Sequence, residues 1–214
     1  MRLFLAPHHD DLLLSLSGYL LDVSDHGANH VVVVFSRESE ELEETCSRLH
    51  NALGFQLHPL GFQEASKRGV PLRTCFRSAR THEEVQADTL VDSIQASLRP
   101  LLSRLKPSVI YSPLLSIHID HALVRVAADS LGEVAPTYYE DQPYSSLHPY
   151  VLARERGRLI CSEEVARASM REVAALLEEL KGIVPYQHLN RILFHSKSHK
   201  GQHPAYLLWR RPSP

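Results

Sequence analysis

The sequence predicts an α/β protein with a mainly parallel sheet covered by helices on both faces. Strand-like and helix-like patterns alternate along the chain, which is the mark of that class. The run Val31 to Phe35 is apolar at every position and mostly β-branched, as a central strand buried on both faces requires. Most connections between segments are short, as units of this kind need.

The elements follow in order. Leu3 to Ala6 is a short buried strand, and Pro7 to Asp11 is a turn. Asp11 to Asp25 is an apolar helix ending at His26-Gly27, with Gly27 suited to the position just past a helix. After the Val31–Phe35 strand comes an acidic helix from about Glu38 to Leu53, closed by Gly54. Gly61 to Arg80 reads as a long loop, and loops of that length in compact domains are often functional. Thr81-His82-Glu83-Glu84 matches a capping box and opens a helix to about Leu105. Val109 to Tyr111 is a strand, and Ala122 to Leu131 is a helix closed by Gly132. Ser162 caps a further helix that ends near Lys181-Gly182, and Tyr206 to Trp209 forms a late strand.

Composition narrows the function. A chain of 214 residues suits one domain spanning 1–214, large enough to bury a core without disulfides. A formal net charge of −2 argues against a nucleic-acid partner, because phosphate-binding surfaces need an excess of Lys and Arg. Cys46, Cys75 and Cys161 form no CxxC pair and fit a reducing compartment. The apolar run Leu3 to Ala6 is too short for a signal-peptide core. Leu12 to Leu21 is broken by Ser15, Ser17 and Gly18 and is unsuited to spanning a bilayer. A cytoplasmic protein without an integral membrane segment is the expectation. Fourteen histidines direct attention to metal or proton chemistry.

Ligands of such sheets bind beyond the carboxyl ends of the strands. Two segments there are rich in His and Asp: Pro7-His8-His9-Asp10-Asp11, and His118-Ile119-Asp120-His121. In one reading Asp10, Asp11 and Asp120 cap the helices that follow, and the histidines are exposed. In the other, two imidazoles and a carboxylate with an open fourth position form the donor set of a catalytic zinc. A spare Asp and His then serve as base and acid. His118 and His121, three apart, share a face on a helical turn. A metal accounts for both segments together.

These residues resemble a known family. Ala6-Pro7-His8-His9-Asp10-Asp11 with Leu14-Ser15 resembles the HPDD signature of the PIG-L/LmbE deacetylases, and His118-Ile119-Asp120-His121 resembles their HxDH motif. Leu60-Gly61-Phe62, Glu64 and Arg68 are similar to the family's LG-D-R loop. Tyr139-Glu140-Asp141-Gln142-Pro143-Tyr144 is similar to its YEDxPY segment, and Trp209 to its terminal tryptophan. The resemblance covers nearly the whole chain and implies a Rossmann-like (LmbE-like) domain that removes an N-acyl group from an amino sugar or glycoconjugate. It implies zinc (Zn2+) held by His8, Asp11 and His121, a set that also accepts Fe(II), Co(II) or Ni(II). It implies Asp10 as the general base for the attacking water. His118 would polarise the scissile carbonyl or protonate the departing amine, with Asp120 orienting it. Arg68, Tyr139, Glu140 and Tyr144 would contact substrate.

Some positions depart from the family pattern. His9 replaces a usual Pro, and Leu12 stands where many members carry Glu. Ser116-Ile117 replace small residues, Tyr186-Gln187-His188-Leu189 replaces a Tyr-x-Ser-Gln pattern, and Tyr206 replaces a Glu. These changes spare the ligand positions and alter the substrate-facing wall. Lys67, Arg68, Arg73, Arg77 and Arg80 make the long loop basic, which suits either plain solvation or a clamp for an anionic group on the substrate. Glu38 to Glu44 is read as a solvated helix face, and His195, His199 and His203 as surface residues without tight ligand spacing. Rival functions are an amidohydrolase acting on longer acyl chains or non-sugar amines, and a non-catalytic sugar-binding relative. A dinucleotide-binding domain lacks its GxGxxG after the first strand.

Overall fold

Apolar side chains of the central strands alternate between two faces, and this alternation sorts the helices into two layers. The computed structural model describes residues 1–24, 28–36, 39–76, 85, 88–114, 117–132, 134–142, 159–165, 167–184, 189 and 205–211. The elements are β1 (Arg2–Ala6), α1 (Asp11–Val23), β2 (Asn29–Ser36), α2 (Glu40–Ala52), β3 (Phe55–Gln63), α3 (Leu72–Cys75), α4 (Thr89–Leu105), β4 (Val109–Pro113), α5 (Ile119–Asp129), β5 (Thr137–Tyr139), β6 (Ile160–Val165), α6 (Met170–Glu178) and β7 (Ala205–Arg210). The strands form one seven-stranded sheet in the order β3-β2-β1-β4-β5-β7-β6. The first five of that order run parallel, and β7 lies antiparallel to both β5 and β6.

Phe4, Ala6, Val31, Val33, Tyr111 and Tyr139 pack in one core with α1, α2 and α6. Leu3, Leu5, Val32, Val34 and Ile110 pack in the other with α4 and α5. From β1 the chain builds outward through β2 and β3 on one side, then returns to build through β4 and β5 on the other. The connections leaving β1 and β4 therefore diverge, and a crevice opens between them at the carboxyl end of the sheet. Among the described residues no helix is long and apolar enough to cross a membrane.

Several elements differ from expectation. The segment from Gly61 continues as strand to Gln63 before the loop begins. Opposite Val33 and Phe35, β3 pairs through Pro59 and Phe62, so it carries one extra residue there. Gly61, within the extra stretch, has φ 73°, a left-handed conformation that glycine adopts without steric cost. Ser162 lies in β6, paired with Leu208 of β7, and does not cap a helix. The helix begins later, at a capping box in which the Ser169 hydroxyl accepts from Glu172 N and the Glu172 carboxylate accepts from Ser169 N. Asp88 caps α4 by accepting from Leu90 N at 2.9 Å, and the Thr81–Glu84 capping box lies outside the described residues.

One core residue is unexpected. His50, on the apolar stripe of α2 with Leu42, Cys46 and Leu49, is 0 % exposed. Burial pushes its imidazole down to about 4. The folded protein then holds His50 neutral, whereas the unfolded chain protonates it below about 6.5. Between these values the unfolded state binds more protons, so stability rises with pH through that window and is lost as pH falls. Chemical denaturation should show wild type losing about 2 kcal/mol more than His50→Gln between pH 7 and pH 5. Identical pH dependence in the two proteins would contradict this origin.

Candidate functional site

The segments singled out in the sequence meet in the crevice. Residues 7–11 follow β1, residues 117–121 come after β4, residues 140–142 follow β5, and Ala65 and Arg68 after β3 bond to Asp120. Asp11 starts α1 and turns its carboxylate back toward the preceding strand end, where Oδ2 accepts from His8 N at 2.7 Å. The same oxygen stands 3.2 Å from His8 Nδ1 and 3.4 Å from His121 Nε2. Each imidazole is held from behind by its own carboxylate. Asp120 Oδ2 lies 3.1 Å from His8 Nε2, and Asp141 Oδ2 lies 2.8 Å from His121 Nδ1. All four groups are buried.

This donor set fits a first-row divalent ion. Two ligands at about 2.0–2.1 Å from a tetrahedral metal lie about 3.3 Å apart, which the two separations bracket. A carboxylate behind each imidazole fixes the tautomer that leaves the opposite nitrogen free to ligate. Among the described residues a second group, His8, His118 and Asp120, is also close enough to hold an ion. There, however, Asp120 is already committed. Its Oδ1 accepts from Arg68 at 2.8 Å and its Oδ2 from Ala65 N at 3.0 Å. The first group is therefore the better metal site.

The surroundings set the charges. Burial would raise the Asp120 carboxyl, but the bond from His8, the His8 and His118 rings and the Ala65 N–H outweigh it and hold it low. Burial pushes Asp141 up to about 6 against its bond from His121. Burial would also depress His121, yet Asp11 and Asp141 outweigh it and raise it. His118 caps α5, its Nδ1 accepting from Asp120 N at 3.2 Å. An accepting Nδ1 places the proton of the neutral ring on Nε2. Burial and the His121 and His8 rings push His118 down to about 3, so the ring is neutral.

Asp10 is 2 % exposed and makes no side-chain hydrogen bond to the first turn of α1. The helix-cap alternative is thus not realised at this residue.

Other expected residues have different partners. Asp120 supports His8, since its carboxylate lies 3.9 Å from His118 Nδ1 and 3.1 Å from His8 Nε2. Arg68 is turned inward, paired with Asp120 and the Gln63 carbonyl, with its guanidinium 5.1 Å from the centre of the Phe35 ring. Its guanidinium thereby braces Asp120, the carboxylate behind His8. The Tyr139 hydroxyl donates to the Leu5 carbonyl at 2.9 Å, and Glu140 accepts from the Trp209 indole at 3.0 Å. Both side chains are buried, and these bonds tie β5 and its end to β1 and β7. Tyr144, Arg77, Arg80, Ser116, the 186–188 segment, His195, His199 and His203 lie outside the described residues.

Asp141 was not singled out from sequence. Its position directly after a short aromatic strand, beside Glu140, was the available signal. Replacing it by Asn should keep the fold and weaken metal binding by roughly 10–100-fold, the usual effect of losing a carboxylate behind a ligating imidazole. Competition titration with a metal-sensitive dye measures this, and wild-type affinity in Asp141→Asn would remove Asp141 from the site.

Comparison of the sequence with models of protein families and with curated proteins finds no match. Solved structures are similar in fold. A deacetylase–teicoplanin complex from teicoplanin biosynthesis aligns with a TM-score of 0.72 at 16% identity, covering 100% of both chains. The zinc-inhibited form of teicoplanin deacetylase Orf2 aligns with a TM-score of 0.72 at 16% identity, over 100% of this chain and 99% of that one. N,N'-diacetylchitobiose deacetylase from Pyrococcus horikoshii, complexed with its inhibitor MPG, aligns with a TM-score of 0.57 at 12% identity, over 97% and 82%. This chain has their α/β fold.

Proposed function

We propose that the chain is a metal-dependent hydrolase that removes an N-acetyl or other N-acyl group from an amino sugar or a sugar-containing conjugate. The observation that carries it is the buried His8–Asp11–His121 cluster, with each imidazole backed by a carboxylate and a further buried carboxylate, Asp10, next in the chain to Asp11. The deacetylases that share the fold, one bound to teicoplanin and one that acts on diacetylchitobiose, support a sugar-bearing amide as the substrate. A zinc-inhibited neighbour supports zinc as an ion that this fold binds.

His8, Asp11 and His121 would hold the ion, whose Lewis acidity would acidify a water and polarise the acyl oxygen. Asp10 takes a proton from the attacking water as the water oxygen bonds to the acyl carbon. The neutral His118 offers its Nε2–H to the acyl oxygen, on which charge develops. The C–N bond then breaks, and the proton carried by Asp10 passes to the nitrogen. The products are a free amine and a carboxylic acid, which releases the water's second proton to solvent and leaves as the carboxylate.

Residues 1–214 work as one domain in this proposal, because a single sheet runs from β1 through β7. Three scattered cysteines without a CxxC pair favour the cytoplasm. The test is to load the protein with one equivalent of zinc and offer it N-acetylated sugars, their longer-chain N-acyl analogues and N-acyl non-sugar amines, detecting free amine. Release confined to sugars supports the proposal. Release from non-sugar amines alone, or binding of sugars with no release, would replace it with the corresponding rival.

A further inference from the structure

We propose that His50 is a positioning residue for the metal-binding segment, acting through the backbone carbonyl of His9. The inference rests on the function proposed above for what the segment does, but its geometry stands alone. Every carbonyl from Pro7 to Asp10 has a partner: Pro7 O accepts from Phe35 N at 2.9 Å, His8 O from Asp11 N at 3.4 Å, and Asp10 O from Leu14 N at 2.9 Å. The carbonyl of His9 alone is met by a side chain, Nε2 of His50 at 3.2 Å.

A carbonyl can only accept, so His50 must carry its proton on Nε2. The other nitrogen, Nδ1, is buried with no hydrogen-bond partner among the described residues. A fully buried imidazole that leaves one nitrogen unsatisfied contributes little to packing that an aliphatic residue would not supply better. Its distinctive contribution is one N–H directed at the peptide between a ligand, His8, and the carboxylate Asp10. The same helix reaches this point a second way, since Glu43 Oε1 lies 3.5 Å from His9 Nδ1. Through these contacts α2, which supplies none of the proposed ligands or catalytic groups, sets where the peptides before Asp10 and Asp11 point.

Gln and Met have nearly the same shape, but only Gln carries an N–H donor at the right reach. The test therefore compares His50→Gln with His50→Met in the full chain. Hydrogen–deuterium exchange of the peptide covering residues 7–14 and cobalt(II) affinity are read together. In His50→Met, exchange should quicken and cobalt affinity should fall, each by roughly tenfold, the effect of removing one hydrogen bond to a buried carbonyl. His50→Gln should stay close to wild type in both. Equal behaviour of the two variants, or loss of the whole fold in either, would make His50 a packing element and overturn the proposal. In wild type, 15N NMR should show the Nε2–H tautomer with a slowly exchanging proton, and an Nδ1–H tautomer would overturn it without any variant. A wild-type protein that releases no amine from any N-acyl sugar would remove the proposed function and leave these measurements equally decisive.

Discussion

Asp11→Ala should lose its metal and its activity together, and His121→Ala should do the same. In the proposed site Asp11 is the one anionic donor of the three, and its Oδ2 stands 3.2 Å from His8 Nδ1 and 3.4 Å from His121 Nε2. Without it two imidazoles remain, and His8 also loses the acceptor that holds its backbone N–H at 2.7 Å. Metal content should drop from about one ion per chain to nearly none after gel filtration, since a catalytic site of this kind is built on three protein ligands. Circular dichroism of the apo proteins checks that the fold persists. The helix-cap alternative makes a contrary forecast for Asp11→Ala: a stability loss of about 1 kcal/mol with metal and turnover retained. Elemental analysis beside kcat decides between them.

Asp10→Asn should do the reverse, keeping the metal and losing the chemistry. Asp10 is buried and next in the chain to Asp11, but is not among the three donors that close on one another. The amide is nearly isosteric and removes only the capacity to take a proton. Its kcat should fall by roughly 10²–10⁴, the contribution of a positioned general base, with KM and metal content little changed. A near wild-type kcat would show that another group takes the proton, with His118 the first to examine.

The parts of the fold readable in sequence are those where burial is symmetric. β1, β2 and β4 lie at the centre of the sheet, covered by helices on both sides, and their apolar runs announce it. β3 is an edge strand that carries Pro59 and Gly61 and is buried only at Phe55, so it has no such run. β5 spans only Thr137–Tyr139 and was visible as a motif rather than a strand. Ser162 misled because Glu163 and Glu164 follow it, yet its third neighbour is Val165. Ser169 has Glu172 at that spacing and makes the real cap.

The candidate site was readable in residue type and not in pairing. His8, Asp10, Asp11, His118 and His121 stood out because such residues cluster where strands end. Which carboxylate stands behind which imidazole depends on contacts between residues 8 and 120 and between 121 and 141, and no local spacing encodes those. Arg68 likewise reads in sequence as a solvated cation or a substrate contact, and its pairing with the buried Asp120 is not encoded locally. His50 carried a signal that composition obscured. A histidine falling on the same helical stripe as Leu42, Cys46 and Leu49 is turned toward the core.

The bond between Trp209 and Glu140 gives this chain an optical property. Trp209 is its single tryptophan, it is buried, and its indole N–H is tied to the residue next to Asp141. Emission from that one indole arises at the strand end that carries the support for His121. A change there alters the hydrogen bond to the chromophore, and so the wavelength and yield of its fluorescence. The crevice thus comes with its own unlabelled gauge, read in the same cuvette for wild type and for each variant.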